Sequence, residues 1–217
     1  IETSNRVKVA KGVVASINKS DAKFFSAKKE VILCAGSIGS PQILQLSGVA
    51  DKALLEKMGI PLIHELKGVG ENLHDHLQIR SVYEVQNTIT LNQRINSFFG
   101  KIKMGLEYFI FKTGPLTMPP SQLGAFAKSD PSQMTANMEW HVQPLSLDKF
   151  GDPLHSFNAI TPAVCNLRPT SRGHVRIKTS DSYDYPAITL NYLSTPEDEA
   201  IAVSGLKFTR KIMSANA

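Results

Sequence analysis

Four short runs in this sequence place chemistry-capable residues at spacings that matter. In residues 30–48, an apolar segment, Val31-Ile32-Leu33, leads into Cys34-Ala35-Gly36-Ser37. Ser40 and Pro41 then suit the opening of a helix carrying Ile43, Leu44 and Leu46. The predicted unit is a buried strand, a turn almost free of side chains, and a helix, with Ser40 as N-cap and Pro41 at the first helical position. A bare turn lets backbone amides approach an adenosine or pyrophosphate group; the same residues also serve as a tight connection with no ligand. In residues 68–76, His74 and His76 flank Asp75. On a strand, i and i+2 share a face, so two metal ligands are available. No third or fourth His or Cys lies close by, so the expectation is a hydrogen-bonded or solvent-facing loop and no metal. His141 sits in the apolar strand pattern Trp140-His141-Val142-Gln143, as a satisfied core histidine or as a polar group lining a substrate cavity. In residues 168–176, Arg168, Arg172 and Arg176 could grip a phosphate, or pair with carboxylates and fix the loop.

The elements that position these residues follow from periodicity. Residues 7–34 read as a β-meander with a turn at 18–21. Asp51 caps a short helix that stops at Gly59 and Pro61. A strand is predicted over 77–85. An amphipathic helix follows over 92–111, with Ile95, Phe98, Ile102, Leu106, Phe109 and Ile110 at helical spacing. Strands recur over 123–128, 138–143, 159–167 and 174–179. The last helix starts at Ser194 or Thr195 with Pro196 behind it. Glu197, Asp198 and Glu199 complement its positive end, and Ile201, Phe208 and Ile212 form its expected buried stripe. The fold class is α+β, with a mainly antiparallel sheet and packing helices.

Composition narrows the function classes. The 217 residues carry 42% hydrophobic and 20% charged residues, enough for a real core. No apolar run approaches the roughly 18 residues of a membrane span. The net charge of +5 comes without basic stretches interleaved with aromatics, which argues against a nucleic-acid partner. Cys34 and Cys165 lack a C-x-x-C spacing and read as buried free thiols in a reducing compartment.

Taken together, the runs resemble the glucose–methanol–choline (GMC) oxidoreductases, most closely their bacterial choline dehydrogenase-like branch. Residues 29–48 look like the family's second signature, and residues 68–76 like its VG-x-NL-x-DH run. Residues 169–177 with 183–192 behind them look like its P-x-SRG-x-V-x-I … P-x-I-x-x-NYL stretch. Three motifs in the right order are far more specific than one. The resemblance implies an FAD-dependent enzyme that passes hydride from an alcohol to flavin N5. Residues 1–76 would be the last part of the FAD-binding domain, and 77–217 a substrate-binding domain cut at its C-terminus. It implies cofactor contacts at Cys34, Ala35, Gly36, Ser37, Asp75 and His76, and substrate contacts at Gln122 and His141. The family's G-x-G-x-x-G fingerprint and its C-terminal catalytic histidine motif do not occur in this sequence. The chain is therefore expected to be an internal piece, with the fingerprint upstream of Ile1 and the catalytic histidine downstream of Ala217. On that expectation it is inactive alone and does not retain FAD. Gln122 stands where choline-oxidising relatives carry a glutamate facing the trimethylammonium group, which favours a neutral primary alcohol over choline. The expected partners are that small alcohol and an electron acceptor the sequence leaves open, with dehydrogenase favoured over oxidase. The expected location is the cytoplasm, with electron delivery at the membrane side. The competing reading is a non-catalytic α+β binding domain.

Overall fold

Runs of alternating residues become short strands, and capped segments become helices. In chain order the elements are β1 (Glu2–Ser4), β2 (Val7–Val9), β3 (Gly12–Ala15), β4 (Lys23–Ser26), α1 (Gly36–Leu46), β5 (Val49–Ala50) and α2 (Lys52–Lys57). Then come β6 (His64–Glu65), β7 (Glu71–Leu73), β8 (Gln78–Arg80), β9 (Tyr83–Glu84), α3 (Leu91–Asn96) and α4 (Phe98–Leu106). The chain closes with β10 (Leu123–Ala127), β11 (Met138–Gln143), β12 (Ala159–Asn166), β13 (Gly173–Arg176), β14 (Ala187–Thr189) and α5 (Pro196–Met213). This computed structural model describes residues 1–4, 7–16, 18 and 20–215; Ile17 and Lys19 of the expected meander, and Asn216 and Ala217, lie outside them. The architecture is α+β, and every strand pair except β5–β6 is antiparallel.

Two compact units emerge. The first holds 1–74 with 172–191, and the second holds 75–171 with 192–217. In the first, β1–β2 and β3–β4 form separate two-stranded sheets rather than one meander, and β14, β13 and β7 form a third. The expected strand at 31–33 makes no ladder with any described residue, and Ile32 is 75% exposed. An apolar run becomes a strand only when another edge satisfies its backbone. The helix boundary also moves. Pro41 lies inside α1 and Ala35 is the N-cap, while Ser40 Oγ accepts the Ala35 N–H at 3.1 Å. Gln45 is fully buried beneath α1. Its Nε2 donates to Val175 O (2.9 Å) and Val69 O (3.3 Å), and its Oε1 accepts the Ile177 N–H (2.8 Å), tying α1 to the segment around β13. Asp51 caps α2 as expected, accepting the Leu54 N–H at 3.1 Å.

In the second unit the sheet order is β10-β11-β12-β8, with β9 also on β12. One face packs under α5, where Met138, Trp140, Val164 and Ile201 form the core. The buried stripe of α5 is Asp198, Ile201, Gly205 and Thr209, whereas Phe208 and Ile212 are 37% and 45% exposed. Small and polar residues win because the helix lies close. A Cβ on Gly205 would sit 3.0 Å from Val164 Cγ2, and Thr209 Oγ1 accepts the buried Trp140 Nε1–H at 2.8 Å. The predicted 92–111 helix is broken into α3, α4 and a π-helical turn at Glu107–Phe111. Within it Met104 and Asn92 are buried, while Phe98, Ile102, Leu106, Phe109 and Ile110 are exposed.

Candidate functional site

The first turn of α1 gathers the small residues of the first unit. Gly36 has φ 73°, a conformation that side chains disfavour, and a Cβ there would meet nothing within 4 Å. No side chain caps the helix and no acidic residue lies in its first turn. The first-turn amides therefore keep donor capacity, at the positive end of an eleven-residue helix. A groove of about 400 Å³ adjoins it, lined among others by Ser37, Ser40, Gly68, Asn72 and His74. Asn72 sits at φ 59°, and a Cβ on Gly70 would fall 2.1 Å from Val175 O, so this loop needs its glycine and tolerant asparagine. Amide donors with serine hydroxyls fit the phosphate or ribose oxygens of a nucleotide. Cys34 beside the turn is exposed, not buried as expected, because the uncovered 31–33 segment carries it outward.

In the second unit, the face of the sheet opposite α5 is polar. Register sets it: Gly124 lies opposite His141, His141 opposite Ala163, and Ala163 opposite Arg80; one row along, Phe126, Glu139, Cys165 and Gln78 align. Gln122 just precedes β10, with its backbone N–H on Val142 O (3.1 Å), so the register sets it diagonal to His141. His141 Nε2 lies 3.2 Å from Glu139 Oε1. The His141 side chain is 36% exposed, open to a small molecule on this face. Arg80 lies across Ala163 from His141. Its guanidinium sits 4.8 Å over the Phe150 ring, and its buried Nη2 has no hydrogen-bond partner among the described residues.

Asp75 and His76 are engaged within the same unit. Tyr192 Oη donates to Asp75 Oδ2 at 2.5 Å, and this bond, with burial and the Asp75 charge, pushes the phenol up to about 12. His76 Nε2 is 3.1 Å from Leu167 O. Ligand atoms of His76, Glu139 and Cys165 all lie within 4.8 Å of one another. Burial first, then Glu139, pushes the Cys165 thiol up to about 11. Of the arginines in 168–176, Arg176 pairs with Glu71 (2.8 Å) and Arg168 donates to Thr135 Oγ1 (2.5 Å), the loop-fixing role rather than a phosphate grip. Cys34, Ala35, Gly36 and Ser37 thus lie in the first unit, and Asp75, His76, Gln122 and His141 in the second. Sequence reasoning missed Glu139, Arg80 and Tyr192. The signal for Glu139 was its position two residues before His141 in an alternating strand.

Two family models, both described as GMC oxidoreductase, match residues 2–78 and 169–217. An oxygen-dependent choline dehydrogenase of Citrobacter koseri is 38% identical over 191 residues, covering 88% of this chain and 34% of the relative. The chain thus spans about a third of the length of the curated relatives it matches. Among solved structures, a formate oxidase is 21% identical with TM-score 0.82, over 93% of this chain and 40% of that one. An FAD-dependent oxidoreductase from Chaetomium thermophilum is 22% identical with TM-score 0.80, over 96% of this chain and 42% of that one. At those identities the solved structures share the fold.

Proposed function

This chain belongs to the GMC oxidoreductase family, and from that premise we propose that it is part of an FAD-dependent alcohol oxidoreductase acting on a primary alcohol. The single observation that carries the reading is the sheet face on which Gln122 and His141 share a diagonal. FAD would be held in part by the Cys34-Ala35-Gly36-Ser37 turn, with Asp75 and His76 on the run joining the two domains, and it would supply N5 as hydride acceptor. We keep the domain reading of 1–76 as cofactor part and 77–217 as substrate part.

His141 orients the alcohol: a ring nitrogen accepts the substrate hydroxyl hydrogen, with Glu139 Oε1 3.2 Å from Nε2. Gln122 offers an amide rather than a charge. The carboxylate this face does carry, Glu139, is 18% exposed and stands one register row along from His141, beside Cys165 and His76. The amide at Gln122 supports a neutral primary alcohol over choline. The chain alone is inactive in this reading, because neither the dinucleotide fingerprint nor the catalytic histidine motif occurs in its sequence. FAD-dependent turnover by the isolated chain would refute that.

We place the protein in the cytoplasm, with electron delivery at a membrane surface and dehydrogenase favoured over oxidase. No helix among the described residues is long and apolar enough to cross a membrane. Exposed Phe98, Phe99, Phe109 and Phe111 near Lys101, Lys103 and Lys112 support surface attachment. Failure of the protein to sediment with anionic vesicles removes that support. The decisive test is anaerobic addition of alcohols to the intact flavoprotein. Bleaching by a linear primary alcohol but not by choline is expected. Bleaching by choline overturns the substrate assignment, and a protein that takes up no FAD is a non-catalytic domain.

A further inference from the structure

We propose that His76, Glu139 and Cys165 form a zinc site with three protein ligands and one open position. Backbone register builds it rather than chance contact of surface side chains. Glu139 on β11 is paired directly with Cys165 on β12, and Cys165 with Gln78 on β8. His76 stands two residues before Gln78 and is anchored to the β12 end through Leu167 O. All three ligand atoms lie within 4.8 Å of one another. Zinc bonds of about 2.0–2.3 Å ask for donors closer than that, within reach of small side-chain rotations.

The donor chemistry selects the ion. One thiolate, one imidazole and one carboxylate suit Zn²⁺, whereas Mg²⁺ and Ca²⁺ demand oxygen. Deprotonated Cys165 and Glu139 neutralise the two charges of the ion, so a half-buried site carries no net charge. The supporting shell is present. One His76 nitrogen is on the Leu167 carbonyl, leaving the other for the metal, and His141 Nε2 lies 3.2 Å from Glu139 Oε1. Cys165 is buried, Glu139 partly buried and His76 exposed, so the open position lies on the His76 side. The site shares His76 and Glu139 with the proposed flavin and substrate contacts, and rests on register and donor chemistry.

The test uses the intact holoenzyme, stripped with chelator and titrated with Zn²⁺ and with Co²⁺. One ion per chain is expected, with a thiolate-to-cobalt charge-transfer band. Cys165→Ser should remove the band, and His76→Gln, at an exposed position, should weaken binding about tenfold or more. His174→Gln, outside the cluster, should leave both unchanged. Absence of binding overturns the proposal. So does binding that survives His76→Gln, or binding without a thiolate band in the unaltered protein, since each means an adventitious ion elsewhere. If Cys165→Ser does not fold, the His76→Gln arm and the cobalt spectrum of the unaltered protein still decide.

Discussion

Replacing Asp198 by Asn should unfasten the loop that carries the 168–171 motif. Asp198 is 3% exposed, three residues into α5. Its Oδ2 accepts the Ser171 N–H (2.8 Å), and its Oδ1 accepts the Thr170 N–H (2.9 Å) and Asn166 Nδ2 (3.0 Å). An asparagine has a single acceptor oxygen. If it keeps the Oδ1 bonds, its own NH₂ faces the Ser171 N–H, and a buried donor loses its partner. A hydrogen bond to a charged group is worth about 1.5–3 kcal/mol, and an orphaned buried donor costs about 1–3 kcal/mol. The two overlap, so the expected loss is about 3 kcal/mol. Urea unfolding of this chain at neutral pH measures it, followed by the fluorescence of its one tryptophan, the buried Trp140. The pH dependence supplies a second arm. Burial raises the Asp198 pKa, but the bonds from Ser171 and Thr170 outweigh it and hold the carboxyl below its ordinary value. A depressed folded pKa gives stability that is present above the unfolded value and lost as pH falls through the folded one. The wild type should therefore lose its advantage over Asp198→Asn in acid. A difference below about 1 kcal/mol at neutral pH, or one that grows in acid, would refute the reasoning.

Thr209→Val keeps shape but strands the buried Trp140 Nε1–H, and should cost about 1–3 kcal/mol in the same unfolding assay. Gly70→Ala forces a Cβ to 2.1 Å from Val175 O at φ 83°, so a loss of about 3 kcal/mol or failure to fold is expected. Tyr192 should form tyrosinate only near pH 12, by ultraviolet difference titration against Tyr192→Phe. Its raised pKa gives stability that is full below about pH 10, the ordinary tyrosine value, and is lost as pH rises through the folded pKa. In the intact flavoprotein, Gln122→Glu should raise kcat/KM for choline by about tenfold, since a carboxylate there attracts the cation. An unchanged ratio of choline to neutral-alcohol turnover places Gln122 outside the pocket.

The choice of elements was legible where local chemistry acts alone. Asp51 and Thr195 cap helices because a side-chain oxygen finds an amide three residues on. The 138–143 and 159–167 runs became strands because their patterns leave few alternatives. The apolar segment at 31–33 has the same local look but no edge to pair with among the described residues, which no window of sequence reveals. The expected α5 stripe missed Gly205 and Thr209. Their burial depends on how near the helix comes to Val164 and Trp140, a property of two elements at once.

For the site, sequence alone supplied the small residues of the 34–37 turn, the His141 strand and the family, because each lies within one contiguous run. Only tertiary structure joined Glu139 to His141, Tyr192 to Asp75, and His76 to Cys165 and Glu139. The expectation of no metal rested on a count of ligands near one another in sequence. Strand register, not sequence distance, set residues 76, 139 and 165 side by side. Antiparallel pairing aligns residues that are far apart along the chain, and hydrogen bonds between backbones choose which of them meet.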